Sequence, residues 1–325
     1  MSEADAEYVL PLRRSDREGE RELLRYLHWI SARMDVTIVD GSDVALFAAL
    51  HERLPAGIRH IQPHRRGLNG KARGVMTAFD VARRERIVLA DDDVRYDDAS
   101  LTAVLERLDR ADLVRPQNVY AAYPWYAQWD TARMLIGRAL GGDFGGTLGV
   151  RRSTVRRAGG YCTDVLFENL ELERTVRAAG GRVEVARDLC VPRVPPTLSH
   201  FLRQRVRQAY DGFAQPARLV AELSLLPLIV TLARRRAWTG LAALAALGVA
   251  AAEYGRRADG GAARIPPVGS LWTPVWMLER AVTAWIAVVL RLRGGVAYAD
   301  HRIRSAASPM RSLRRRAALS ERRAG

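Results

Sequence analysis

The run Ile87-Val88-Leu89-Ala90-Asp91-Asp92-Asp93-Val94 constrains the fold more than any other stretch of this chain. Its apolar, β-branched start reads as a buried strand, and the strand stops in three adjacent carboxylates. Like charges side by side raise one another's pKa and destabilise a fold unless something positive sits among them. A strand end in an α/β protein faces a ligand crevice, where a divalent cation carrying a phosphorylated ligand answers that need. Hard oxygen donors suit Mg²⁺ or Mn²⁺, which keep waters and share their coordination with a substrate's phosphates. Taken alone, the cluster also fits a solvated turn, since Asp is a common turn residue.

The flanking sequence supplies the rest of an α/β unit. Residues 20–34 carry helical periodicity through Leu23, Leu24, Leu27 and Ile30. Val36-Thr37-Ile38-Val39 reads as a strand ending at Asp40-Gly41-Ser42-Asp43. A helix is expected from Val44 to Leu54, a short strand from Ile58 to Gln62, and a helix from Lys71 to Arg84 with Val75, Ala78, Phe79 and Ala82 inward. Alternation of this kind predicts a parallel sheet with helices on both faces. Asp40 and Asp91 then stand at the carboxyl ends of strands, and Lys71 joins them through the loop before its helix. Further on come a helix over 99–109 and a strand at Leu113-Val114-Arg115-Pro116. The aromatics Tyr120, Tyr123, Trp125, Tyr126 and Trp129 fit either the apolar face of a helix or a platform for a flat ligand. The glycines from Gly141 to Gly149 serve tight turns or close approach of backbone to a ligand.

Charge divides the chain unevenly. Of its 51 basic and 36 acidic residues, 21 and 7 lie from residue 201 onward, leaving 30 against 29 before it. The positive excess therefore belongs to the C-terminal part, which implies a polyanionic surface as partner. Only one basic residue is a lysine, Lys71. Leu219 to Ala233, Trp238 to Ala252 and Leu271 to Leu290 are apolar segments, the first two separated by Arg234-Arg235-Arg236. None is an unbroken apolar span of the roughly 20 residues a bilayer crossing needs, so interfacial or re-entrant helices are expected, with a soluble helical subdomain as the alternative. Apolar segments interrupt the basic residues and no base-reading motif accompanies them, so no nucleic-acid partner is expected and that reading ranks below the others. Two cysteines cannot build a disulfide framework, and six scattered histidines form no zinc site. The acidic start, Met1 to Leu12, lacks the apolar core of a signal peptide. The expected organisation is an α/β domain over 1–215, membrane-associated helices over 216–300 and a basic mobile tail over 301–325.

Four segments line up in order: Val39-Asp40-Gly41-Ser42, Asn69-Gly70-Lys71-Ala72, Asp91-Asp92-Asp93 and Phe167-Glu168-Asn169-Leu170-Glu171-Leu172, followed by Gln204-Arg205-Val206-Arg207-Gln208. Their order and spacing resemble the inverting family 2 glycosyltransferases of GT-A fold, especially the membrane-associated ones related to ceramide glucosyltransferase, cellulose synthase and hopanoid glycosyltransferases. The resemblance covers most of residues 8–215, and Gly294-Gly295-Val296-Ala297-Tyr298 looks like the segment after their last membrane helix. It implies a GT-A, Rossmann-like domain that takes a nucleoside-diphosphate sugar, with Asp40 on the base, Lys71 near the nucleotide, and Asp91 by the ribose. The triplet matches the DxD-type motif, so Asp93, with Asp91, would hold Mn²⁺ or Mg²⁺ on the diphosphate, and Asp92 would belong to the same donor site. Gln204 and Arg207 match the Gln-x-x-Arg-Trp motif, and Arg207 suits diphosphate oxygens.

This chain departs from the pattern twice. Inversion needs a base to deprotonate the acceptor hydroxyl, and the family's Asp is here Asn169, which leaves Glu168 as the nearest carboxylate, with Glu171 and Glu173 behind it. The motif's Trp is Gln208, for which Tyr210 or Trp125 could substitute, and its loss favours transfer of a single sugar over polymerisation. The expected function is metal-assisted sugar transfer with inversion to a lipid or lipid-linked hydroxyl, at the cytoplasmic face of the cell membrane and against its anionic surface. Two alternatives remain: a phosphatase of the haloacid dehalogenase type, which also opens on strand-Asp-x-Asp but has Arg95 at a position wanting Thr or Val, and a degenerate transferase kept as a membrane scaffold.

Overall fold

The computed structural model of the chain describes residues 5–143, 145–298 and 301–324. The elements run β1 (Ala6–Leu12), α1 (Glu20–Ser31), β2 (Asp35–Asp40), α2 (Val44–His51), β3 (Arg59–Ile61), α3 (Gly70–Val81), β4 (Arg86–Ala90), α4 (Asp98–Arg107), β5 (Leu113–Tyr120), α5 (Trp125–Ala139), β6 (Thr147–Arg151), α6 (Arg152–Arg157), α7 (Glu168–Ala178), β7 (Val183–Arg193) and α8 (Leu198–Ala209). They continue with α9 (Pro216–Arg234), α10 (Trp238–Arg257), α11 (Val268–Leu271), α12 (Thr273–Leu292), β8 (Val296–Tyr298), β9 (His301–Ile303) and α13 (Met310–Ala324).

A seven-stranded sheet has the order β3-β2-β1-β4-β6-β5-β7. β1 to β4 are parallel, as the strand-helix alternation requires, and β6 enters antiparallel to β4 and β5. Alternating side chains feed two cores. Tyr8, Leu10, Ile38 and Val88 face Leu27 and Ile30 of α1 and Leu101 and Val104 of α4. Val9, Val39, Ile87 and Leu89 face Val75, Ala78 and Phe79 of α3 and Leu172 and Val176 of α7. Polar side chains start the helices where the strands stop: Asp43 accepts from Leu46 N, Asn69 from Ala72 N, and Asp97 pairs reciprocally with Ser100.

Two compact units divide the chain, one made of Met1–Asn118, Phe144–Val191 and Ala307–Gly325, the other of Val119–Asp143 and Pro192–Ala306. The division differs from the expected break at 215, because α5 and α8 group with the apolar helices. Buried Asp130 of α5 accepts from Arg205 of α8 at 2.8 Å, and Trp129 meets Phe201 at 5.3 Å between ring centroids. The segment expected as a mobile tail also has structure: β9 pairs with β8, and α13 belongs to the first unit. Its Leu313 and Ala317 are buried, while Ser308 ahead of it donates its backbone N–H to Glu171 Oε2 of α7 at 2.6 Å.

In the second unit α9, α10 and α12 realise the three apolar segments, and Pro216–Arg234 is long and apolar enough to cross a membrane, the one such helix among the described residues. α12 turns Trp276, Met277, Arg280 and Ala284 inward and leaves Leu278, Val282, Trp285, Val289 and Leu292 exposed.

Candidate functional site

The first unit places Lys71, Asp91 and Glu168 together. Lys71 sits in the first turn of α3, Asp91 follows β4, and Glu168 opens α7. Lys71 Nζ lies 2.5 Å from Asp91 Oδ1 and 2.7 Å from Glu168 Oε1. Burial alone would depress the ammonium's pKa, but the two flanking carboxylates outweigh it and hold Lys71 well above the ordinary lysine range. Burial pushes Asp91 up to about 6; Lys71 opposes that rise, and the nearby charges of Asp93 and Glu168 add to it. Asp92 of the same run is exposed.

The backbone around Asp91 is fixed by a glycine pair. Asp91 N–H donates to Gly146 O at 2.8 Å, Gly146 N–H donates to Asn118 Oδ1 at 2.7 Å, and Asn169 Nδ2 donates to Gly145 O at 2.9 Å. A Cβ on Gly146 would lie 2.7 Å from Asp91 Oδ2, and one on Gly145 only 2.2 Å from Asn118 Oδ1. The Gly141–Gly149 stretch thus lets backbone approach a carboxylate closely. Asn169 contributes an amide donor here, which a carboxylate in its place could not supply.

The three glutamates of α7 separate by what they touch. Glu171 is fully buried and accepts from Ser308 N–H, and Glu173 pairs with Arg115 at 2.8 Å and Arg177 at 3.0 Å. Glu168 is the one that shares Lys71 with Asp91.

Asp40 is 1% exposed, and its oxygens are already engaged, one accepting from Ser42 N–H at 2.8 Å and the other 3.2 Å from His60 Nε2. His60 stacks on Phe47 at 4.0 Å, which keeps its ring against Asp40. Burial raises the Asp40 pKa, but the His60 and Ser42 bonds outweigh it and hold the carboxyl below its ordinary range. Gln204 and Arg207 lie on α8 in the second unit, where Gln204 bonds His200 and the Arg207 guanidinium stands 4.8 Å from the centroid of the Tyr298 ring. Of the two aromatics that could replace the missing Trp, Tyr210 is buried and donates its hydroxyl to Arg304 O, whereas Trp125 is 48% exposed.

Asp91 and Asp93 are the residues that would hold a divalent cation. Asp91 and Asp93 offer hard oxygens in a carboxylate-rich spot whose nearest cation is a single ammonium. Among the described residues no three or more His, Cys, Asp or Glu side chains gather as a metal cluster, so a bound ion would draw its remaining ligands from substrate phosphates and water.

Sequence reasoning missed the roles of Asn69 and Asn118. Asn69 stands just before a helix, where Asn is a readable capping signal.

A mixed α/β sheet of this order, with carboxylates at the end of its central strand and a lysine among them, defines a nucleotide-sugar transferase fold of GT-A type. The family model for glycosyltransferase-like family 2 matches residues 20–211, and the chain belongs to that family. It is therefore a glycosyltransferase, and the phosphatase alternative falls. The structure is similar to that of the mannosyltransferase PcManGT from Pyrobaculum calidifontis, solved in complex with GDP-Man and Mn²⁺, with 21% identity over 86% of this chain and 87% of that one and a TM-score of 0.50. It also matches S. aureus TarS 1-349 (12% identity, 58% and 60% covered, TM-score 0.41) and a mycobacterial protein (14% identity, 61% and 70% covered, TM-score 0.42). No curated protein matches the sequence.

Proposed function

We propose that this enzyme transfers one sugar, with inversion, from a nucleoside-diphosphate sugar to a lipid or lipid-linked hydroxyl at the cytoplasmic face of the membrane. One arrangement carries the assignment: Lys71 held between Asp91 and Glu168. It sets a carboxylate suited to the donor's cation beside a carboxylate suited to proton removal. Asp91 and Asp93 would hold a divalent metal, which when bound supplies Lewis-acid stabilisation of the departing diphosphate. Lys71 and Asp92 serve the donor's phosphates and sugar, and Asp40 with its His60 partner serves the base. Glu168 takes the proton of the acceptor hydroxyl as that oxygen bonds to the anomeric carbon. The bond from that carbon to the diphosphate oxygen breaks, and its electron pair leaves with the nucleoside diphosphate.

Large apolar side chains exposed on α9, α10 and α12, among them Val220, Trp238, Leu247, Tyr254, Leu278 and Leu292, support the membrane assignment. Arg234-Arg235-Arg236 and the arginines of α13 suit an anionic headgroup layer. The donor and metal of the Pyrobaculum enzyme make GDP-mannose and Mn²⁺ the first pair to try. Equilibrium binding of GDP-mannose and UDP-glucose with and without Mn²⁺ tests the reading: metal-dependent binding of one of them is expected, and no metal-dependent binding of either sinks it. If binding persists while both Glu168→Gln and Asp93→Ala leave product formation unchanged, these residues are not the machinery.

A further inference from the structure

Asn69 is fully buried at the start of α3. Its Oδ1 accepts from Ala72 N–H at 3.1 Å and so caps the helix that carries Lys71. Its Nδ2 faces the other way, donating to Val165 O at 2.8 Å and Leu166 O at 3.2 Å, and lies 3.4 Å from Glu168 Oε2. The partners fix the amide's orientation, since the oxygen meets an N–H and the nitrogen meets carbonyls. The backbone reinforces the join: Asn69 N–H donates to Thr163 O at 2.9 Å, and Leu68 N–H to Asp164 Oδ1 at 2.8 Å. One side chain thus couples the helix of the ammonium to the turn that presents the carboxylate, nearly a hundred residues later. Capping needs only the oxygen, which Asp or Ser supplies as well as Asn. Holding the turn needs the donor, which neither of them has in that place.

We infer that Asn69 is a positioning residue for Glu168: its amide holds the Val165–Glu168 turn so that the Glu168 carboxylate stays at Lys71 and within reach of the acceptor hydroxyl. This rests on Glu168 as the base. Asn69→Asp separates the two uses of the side chain, because it keeps the cap oxygen and the volume but turns an acceptor toward two carbonyls and a carboxylate. Initial rates are measured with GDP-mannose, Mn²⁺ and total membrane lipid extract, or with UDP-glucose if that is the donor that binds. The expected result is a kcat about 10- to 100-fold lower, the range misplacement of a reacting group produces, with the donor KM within about threefold. Asn69→Ser, neutral and equally able to cap, shows the same split and stands in should Asn69→Asp not fold. Hydrogen exchange on the ligand-free proteins gives a second readout: both variants lose protection over 163–170 while α3 keeps its own. Unchanged kcat in a folded variant, or unchanged protection over 163–170, overturns the inference. Glu168→Gln run in parallel separates the two ideas, since full activity in that variant removes the base assignment, whereas an inactive Glu168→Gln beside a normal Asn69→Asp removes only the role of Asn69.

Discussion

Lys71 gives this site its electrostatic logic. Two carboxylates, Asp91 and Glu168, meet its ammonium there, and that one positive charge offsets their mutual repulsion. If Glu168 is the base, Glu168→Gln lowers kcat by about 10²- to 10⁴-fold, the usual contribution of general base catalysis, while donor affinity measured by calorimetry stays within about threefold; loss of affinity in step with kcat would instead make Glu168 a donor ligand. Asp40 offers a test through pH. Its pKa in the folded protein is depressed, so its contribution to stability is complete above the unfolded-state value of about 3.9 and is lost as pH falls through the lower folded-state value. The melting temperature of Asp40→Asn should therefore fall below that of the unaltered protein near neutral pH, and the gap should close as both are acidified. A gap that widens in acid contradicts that assignment.

Among the elements, α13 ties the end of the described chain to the helix that opens with Glu168. Glu171 is committed to Ser308 N–H, and the Arg174 guanidinium donates to Ser308 O at 3.3 Å. Removing residues 307–325 should expose the faces that cover Leu313 and Ala317, lower the melting temperature and speed exchange in α7; unchanged exchange in α7 would show that the brace is idle. How far the elements were legible follows from their chemistry. β2 and β4 announce themselves through Val36-Thr37-Ile38-Val39 and Ile87-Val88-Leu89-Ala90, runs rich in β-branched residues. β1 does not, because it carries Glu7 and Pro11. The structure accommodates both: Thr37 Oγ1 and Arg83 N–H donate to Glu7, and Pro11 lies past the last β1 residue paired with β4. β6 hid in a glycine-rich stretch, and α13 read as a tail because only a few of its side chains are buried against many exposed arginines. Asp91 and Glu168 were legible as motif positions. Asn69's second role was not, because its amide finds its acceptors nearly a hundred residues away.

At the scale of the whole chain, the second unit is built around buried ions rather than a purely apolar core. Asp130 accepts from Arg133, Arg205 and the Tyr120 hydroxyl, and Arg133 also pairs with Asp143 at 2.8 Å. Breaking such a set by removing one charge leaves its partners buried and uncompensated, so Asp130→Asn should cost about 3–5 kcal/mol in chemical denaturation. A loss under about 1 kcal/mol, the worth of an exposed pair, would mean that water reaches the set. Vesicle flotation tests the membrane assignment at the same scale: retention on anionic vesicles that weakens with salt and with Leu278→Asp is expected, and equal recovery without lipid contradicts it. Finally, the composition makes the site chemically addressable. Lys71 is the only lysine in 325 residues, so an acylating reagent that seeks ε-amines has a single target, set between Asp91 and Glu168. Held as an ammonium by its two carboxylates, that amine should react slowly, and more slowly still behind a bound donor. Its labelling rate, followed by peptide mapping at Lys71 so that the faster-reacting α-amine does not contribute, then reports occupancy of the site without knowledge of the acceptor.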